Sequence, residues 1–332
     1  MSLHGHTYER RLVWRHRIGE LFEWLCRTTT FASLGILAIL LVSIGVKAIG
    51  WLDWGFLTRS NSYIAEEAGI MSGLLGSLWL IGLTAILSVP LGVGSAIYLE
   101  EYAKPSRMTR FIQLNISNLA GVPSIVYGIL GFTVFVRMFG LRDRPETFKC
   151  SLGFAEFSFQ LPLGRVVLAG ACTLTLLSLP VVIIAAQEAL RSVPASLRHA
   201  SLALGATKWQ TIRHQVLPAA LPGILTGVIL SMSRAIGETA PLAVLGAAAQ
   251  LSFAPGSING IGDALQNPSK LLQAPFDQFT AIPLQIYVWV SDSDPQFEHV
   301  AAAGITVLLA VLLIMNGAAI FIRQRFQKKI RW

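Results

Sequence analysis

Charge is what this sequence has least of. Only 13% of its 332 residues are Asp, Glu, Lys or Arg, about half the usual share of a globular chain, and 53% are hydrophobic. With a mean hydropathy of +0.60, that composition excludes an ordinary water-soluble domain and points to a membrane protein. Cysteine is scarce as well. Cys26, Cys150 and Cys172 are odd in number, scattered and without C-x-x-C spacing, so neither a disulfide framework nor a metal site can be built from them. No Gly-x-x-x-x-Gly-Lys-Ser/Thr loop occurs. The nearest stretch, "LGATKWQT", lacks the second glycine and the lysine after it, which excludes ATP binding of that kind by this chain. No internal repeat is visible, which weighs against secondary transporters built from inverted halves. Low-complexity sequence is absent too. The first apolar run leads into "VKAIGWLDWG" without a small-x-small cleavage site, so it is expected to remain as an anchor and not to be removed as a signal peptide.

Long uncharged runs are what the sequence has in quantity. A bilayer core of about 30 Å needs roughly 20 apolar residues per helix. Six runs qualify, at 28–50, 68–99, 111–136, 166–187, 219–248 and 300–322, so the expected fold class is all-α with six transmembrane helices. The fifth run is the exception in carrying two charges, Arg234 and Glu238.

Orientation follows from where Lys and Arg fall between the runs. With both termini inside, the cytoplasmic segments hold seventeen of them and the outside segments eight. The third connection, 137–165, opposes this assignment with five positive charges of its own. The formal charge of +8 could mark a nucleic-acid binder, but the cations flank spans and do not form one patch, so no nucleic-acid partner is expected.

The expected organisation is a cytoplasmic tail at 1–29, a transmembrane domain at 30–325 and a short cytoplasmic tail at 326–332. Within the first tail, Trp14, Ile18, Leu21, Phe22 and Leu25 recur at helical spacing among arginines, which suits a helix lying in the lipid interface. A simple charged tail is the alternative. Span two is about ten residues longer than a bilayer requires, and Pro90, Gly92 and Gly94 predict a bend or an extension into the cytoplasm. Gly69, Gly73 and Gly76, and again Gly223 and Gly227, permit close helix approach. The 249–300 connection has one lysine against five acids, a net charge of −4 that suits the outside, and part of its "IPLQIYVWV" is expected to pack against the membrane surface or a partner protein.

Between spans four and five lies "HASLALGATKWQTIRHQVLP", at 199–218, within a cytoplasmic segment that runs from 188. Ser196 to Leu204 is helix-compatible, Gly205 supplies a stop, and Thr207 with Gln210 has the form of a capping box. A second short helix is expected from Lys208 to Val216, with Pro218 after it. The product is a compact helical knob, which could be no more than a solvated turn.

Arg234 and Glu238 are one turn apart and share a helix face. Charges at membrane depth cost at least about 2.5 to 3.5 kcal/mol and usually face a bundle interior or water. Either the guanidinium offers its fork of donors to a passing anion, or the two form an ion pair that only fixes helix packing. Arginine before glutamate is the less favourable order for a helical pair, which counts against mere helix stabilisation.

The knob resembles the cytoplasmic signature of ABC importer permeases: glutamate-alanine-alanine, three residues, glycine, nine residues, then isoleucine-x-leucine-proline. Ala200, Gly205, Leu217 and Pro218 match in place, while His199, Ser201 and Gln215 stand where the family has glutamate, alanine and isoleucine. "NLAGVPSIVYGILGF" at 118–132, "SRAIGETAPL" at 233–242 and "IPLQIYVWVSDSDPQFEHVAAAG" before span six are similar to the A-type permease subunit of the phosphate ABC importer. That resemblance covers roughly 70–325. It implies a type I ABC importer permease fold, a bacterial inner-membrane location, and a knob that docks on a cytoplasmic ATPase through His199, Ala200, Ser201, Gly205, Thr207, Lys208, Trp209, Leu217 and Pro218. The implied partners are a homologous second permease, two ATPase subunits carrying ATP and Mg, an external phosphate-binding protein, phosphate itself and membrane lipid. No cofactor or metal is implied in this chain. An integral-membrane lipid phosphotransferase and an ion-driven secondary transporter are the rival readings.

Overall fold

The computed structural model of the chain describes residues 5–138, 146–151, 156–161, 163–247, 254–257 and 268–328. Expectations that fall on Arg142, Arg144 and Asp263, on much of the external connection and on the end of the C-terminal tail lie outside them.

The first helix, α1 (Gly5–Ala48), runs 44 residues without a break and so joins the expected interfacial helix to span one. The run of threonines that could have capped a new helix continues the old one. The hydroxyls of Thr28, Thr29 and Thr30 donate to the carbonyls of Trp24, Leu25 and Cys26 at 2.8 to 3.0 Å, one turn back. A short helix, α2 (Trp54–Thr58), follows, capped by Asp53, whose carboxylate accepts from the Phe56 amide at 2.6 Å. Next, α3 (Met71–Ile97) passes through Pro90 and ends in a π turn at Tyr98–Tyr102, so span two extends to 32 residues rather than breaking.

Span three is not one rod. Its two halves, α4 (Arg107–Ala120) and α5 (Ser124–Gly131) with the π turn Phe132–Val136, meet at 104°. Pro123 causes the break, because it lacks an amide proton and disfavours helical backbone in the residue before it. The expected span 111–136 is therefore a bent pair. Among the described residues five helices are long and apolar enough to cross a membrane, and six spans result if the pair counts as one. The third connection contains a small antiparallel hairpin, β1 (Glu146–Ser151) with β2 (Glu156–Leu161), in an otherwise helical chain.

The remaining elements are α6 (Val167–Arg191), α7 (Ala195–Ala203), α8 (Lys208–Thr211), α9 (Leu217–Gly237), α10 (Ala240–Leu245), α11 (Pro268–Gln273), α12 (Ile282–Val290) and α13 (Gln296–Lys328). Helix α6 forms the centre, between α3 and α9, with α1 and α13 on one flank and the α5–α10 pair on another. Small residues set this packing as expected. Gly223 and Gly227 of α9 lie against Ala189 and Ala185 of α6, while Gly73 and Gly76 of α3 leave room for Gln285 and the Thr280 carbonyl. The apolar α12 packs one face into the fold against α3 and α13, with Trp289 fully buried and its indole nitrogen donating to Asn61 Oδ1 at 3.1 Å, and leaves Tyr287 and Val290 exposed on the other.

Candidate functional site

The knob forms as its residues dictate. Helix α7 stops at Gly205, whose φ of +86° puts it in the left-handed region that glycine enters at no steric cost. Thr207 then caps α8. Its hydroxyl accepts from the Gln210 amide at 3.3 Å, and the Gln210 side chain accepts from the Thr207 amide at 2.8 Å, which completes the capping box. The expected end of this second helix at Val216, before Pro218, is corrected. The backbone passes through a π turn at Ile212–Val216 straight into α9, giving one continuous helix from Lys208 to Gly237. The wider turn just before Pro218 lets the chain carry proline without a stop.

His199, Ala200, Gly205, Thr207, Lys208 and Trp209 all face solvent, while Ser201, Leu217 and Pro218 are half-buried. Ser201 is tied inward, its hydroxyl 3.0 Å from that of Thr211. Leu204 stands 89% exposed at the tip beside the exposed Leu202 and Trp209. Apolar side chains held outward on a capped turn are the kind of surface that a partner can cover.

Arg234 and Glu238 are brought together, with Arg234 Nε donating to Glu238 Oε1 at 3.2 Å. They are not a pair within one helix. Helix α9 ends at Gly237, Glu238 is extended at its cap (ψ 111°), and α10 restarts at Ala240. The expected single span 219–248 is thus broken beside the two charges. Gly237 and Pro241 of "GETAPL" are the sequence signal for that break, and the apolar run obscured it. Helix α10 is held against α5 where Gly128 meets Pro241, close enough that a Cβ on Gly128 would come within 2.7 Å of the Pro241 Cα. A second tie lies behind Arg234: the Ser233 hydroxyl donates to Asn316 Oδ1 on α13 at 2.5 Å. In the single chain the Arg234 side chain is 52% exposed and Glu238 17%, so the guanidinium presents free donors while the carboxylate is mostly covered. Broken helices at membrane depth, with unpaired backbone and a charged pair at the gap, are how transporters form binding sites within the bilayer.

Residues 88–331 match the family of binding-protein-dependent transport system inner membrane components. The chain belongs to that family. It is 35% identical to the phosphate transport system permease protein PstA 1 of Mycobacterium tuberculosis (strain CDC 1551 / Oshkosh), over 95% of this chain and 91% of that one. It is 30% identical to the phosphate transport system permease protein PstC of Mesorhizobium japonicum, over 68% of this chain and 71% of the relative. A chain of the bacterial alginate ABC transporter, solved in complex with alginate pentasaccharide-bound periplasmic protein, superposes with a TM-score of 0.59 at 14% identity, covering 96% of this chain and 99% of its own. This inner-membrane component therefore has the type I ABC importer permease fold and is a transport subunit, not an enzyme. Sequence reasoning about this permease missed the residues that brace the knob, because their partners lie nearly a hundred positions away. Glu101 receives Arg198 at 2.8 Å, and Glu100 receives Arg191 at 2.6 Å.

Proposed function

We propose that the chain is the A-type permease of an ATP-driven phosphate importer, paired with a homologous second permease, two cytoplasmic ATPase subunits and an external phosphate-binding protein. The observation that carries the reading is the half-exposed Arg234 beside the gap between α9 and α10. Guanidinium donors fit the oxygens of a tetrahedral oxyanion, and Glu238 orients the group and keeps the anion from binding too tightly. The phosphate permeases among its relatives support that oxyanion, and their two kinds, both similar to this chain, support a pseudo-symmetric pair. In this reading both termini are cytoplasmic, the knob at 199–218 docks in a groove of the ATPase, and ATP closure of the ATPase pair opens the pathway outward.

The test is uptake by the reconstituted importer in vesicles. ATP-dependent accumulation of phosphate that excess sulfate does not suppress is the expected result. Uptake of sulfate in preference to phosphate overturns the substrate, and uptake without ATP overturns the ATPase partnership.

A further inference from the structure

Glu100 and Glu101 close the cytoplasmic end of α3, in the π turn Tyr98–Tyr102, where the Ala103 amide reaches back to the Tyr98 carbonyl at 2.8 Å. Both are half-buried and both are paired with arginine, Glu100 through its two oxygens and Glu101 through Oε1 alone. Glu100 accepts from Arg191 Nε at 2.9 Å and Nη2 at 2.6 Å, at the last turn of α6. Glu101 accepts from Arg198 Nε at 3.0 Å and Nη2 at 2.8 Å, within α7. Arg198 also donates to the carbonyls of Val193 and Leu190 at 2.7 and 2.8 Å, so one guanidinium holds the end of α6, the start of the knob and α3 together. The next residue, Tyr102, lies under the Lys208 ammonium of α8, 5.2 Å from the ring centroid. Three consecutive side chains of one π turn thus meet α6, α7 and α8 in order.

These contacts matter because of what the chain path lacks. The knob is covalently continuous with α6 through Ser192–Pro194 and with α9 through Ile212–Val216, but α3 has no such link. At its other end α3 is fastened to the external segment. Gln285 Nε2 donates to the Gly69 carbonyl at 2.8 Å, and the Ile282 amide donates to Ser77 Oγ at 2.9 Å. These fastenings act on one helix of 32 residues, Met71–Tyr102, about 48 Å long at 1.5 Å per residue.

We propose that Glu100 and Glu101 are positioning residues that pull α3 along with the knob, and that α3 delivers the displacement to the external helix α12. The two parallel charged hydrogen bonds of Arg191 with Glu100 fix orientation as well as distance, and Arg198 is held in place by two carbonyls while it grips Glu101, so together they transmit a rotation that apolar contact would let slip. A rigid helix bonded at both ends carries it across. This rests on the reading of the knob as the ATPase contact.

The experiment measures phosphate uptake and ATP hydrolysis on the same vesicles holding the complete importer. Glu100→Ala/Glu101→Ala leaves the knob's own bonds from Arg198 to Leu190 and Val193 in place. It is expected to lower phosphate transported per ATP hydrolysed by at least about fivefold, the low end of a site-to-site coupling. An unchanged ratio, including one in which uptake and hydrolysis fall together, overturns the proposal. If that variant does not assemble, Glu100→Asp/Glu101→Asp keeps the charges and shortens both arms, and it is expected to give a smaller drop in the same ratio; no drop overturns the proposal equally. Gly205→Val separates the two readings. Normal uptake in that variant removes the knob's role altogether, whereas uncoupling there with an unchanged ratio in the glutamate variants removes only the route through α3.

Discussion

Arg234 carries the proposed substrate reading, and the position of its neighbour bears on whether the pair serves the pathway or only packing. Glu238 sits between two helix ends, past the negative carbonyl end of α9 and just before the positive amide end of α10, so its carboxylate is opposed by one and favoured by the other. Arg234 offsets that charge with one nitrogen and keeps its others free. Arg234→Lys is expected to preserve insertion and assembly but to slow phosphate uptake by about 10- to 100-fold, the size expected for losing a charged hydrogen bond. Arg234→Ala/Glu238→Ala decides between pathway and packing, since an ion pair that serves structure alone can often be replaced by apolar residues at little cost. Uptake in the double variant should stay lost, and recovery at matched expression would mean that the pair is structural. Gly205 allows a cleaner comparison, because a Cβ there would meet nothing within 4 Å and only the backbone resists substitution. Asn, which tolerates the left-handed region, should retain most transport, and Val, at a cost of about 1–2 kcal/mol, should not.

At the scale of elements, legibility followed locality. The knob could be read from the sequence because its shape depends on contacts within four residues: a glycine stop, then a threonine and glutamine capping each other. The apolar stretches were legible as spans for the same reason. Their breaks were not. In "NLAGVPS" and "GETAPL" hydropathy continues across a glycine and a proline, and only the folded chain shows α5 and α10 as short helices braced on one another at Gly128 and Pro241. The buried face of the apolar α12 was not legible for a related reason, since the composition of a lipid-facing helix and of a buried one is the same, and its partners Asn61 and Gly69 lie more than two hundred residues away. The close approach at Gly128 can be tested against a glycine with open space around it. Gly128→Ala puts a methyl into the α5–α10 contact and is expected to cost about 1–3 kcal/mol, as overpacked sites do. Gly82→Ala, with nothing within 4 Å, should leave the melting temperature in detergent and the uptake rate near the parent's. Equal melting temperatures for the two variants would show that the contact is dispensable.

For the molecule as a whole, every functional reading depends on which side of the membrane each end of α3 faces. The knob and the acidic segment around Asp292 and Asp294 lie at opposite ends of the bundle, one bonded to Glu100 and Glu101, the other following α12, which is bonded near Gly69. Lys and Arg are concentrated on the knob's side and acids on the other, a bias of the kind that favours the proposed orientation with the knob in the cytoplasm. Ser293 is exposed in that acidic segment, and Leu204 is exposed at the tip of the knob. In a chain freed of Cys26, Cys150 and Cys172, Ser293→Cys should react with a membrane-impermeant thiol reagent applied to intact spheroplasts, and Leu204→Cys should react only after the membrane is opened. Co-expression of the ATPase subunits should then slow labelling of Leu204→Cys in opened membranes and leave Ser293→Cys unaffected, because a docked groove covers the knob alone. Labelling of Leu204→Cys from outside would invert the orientation and remove both the ATPase contact and the direction of import.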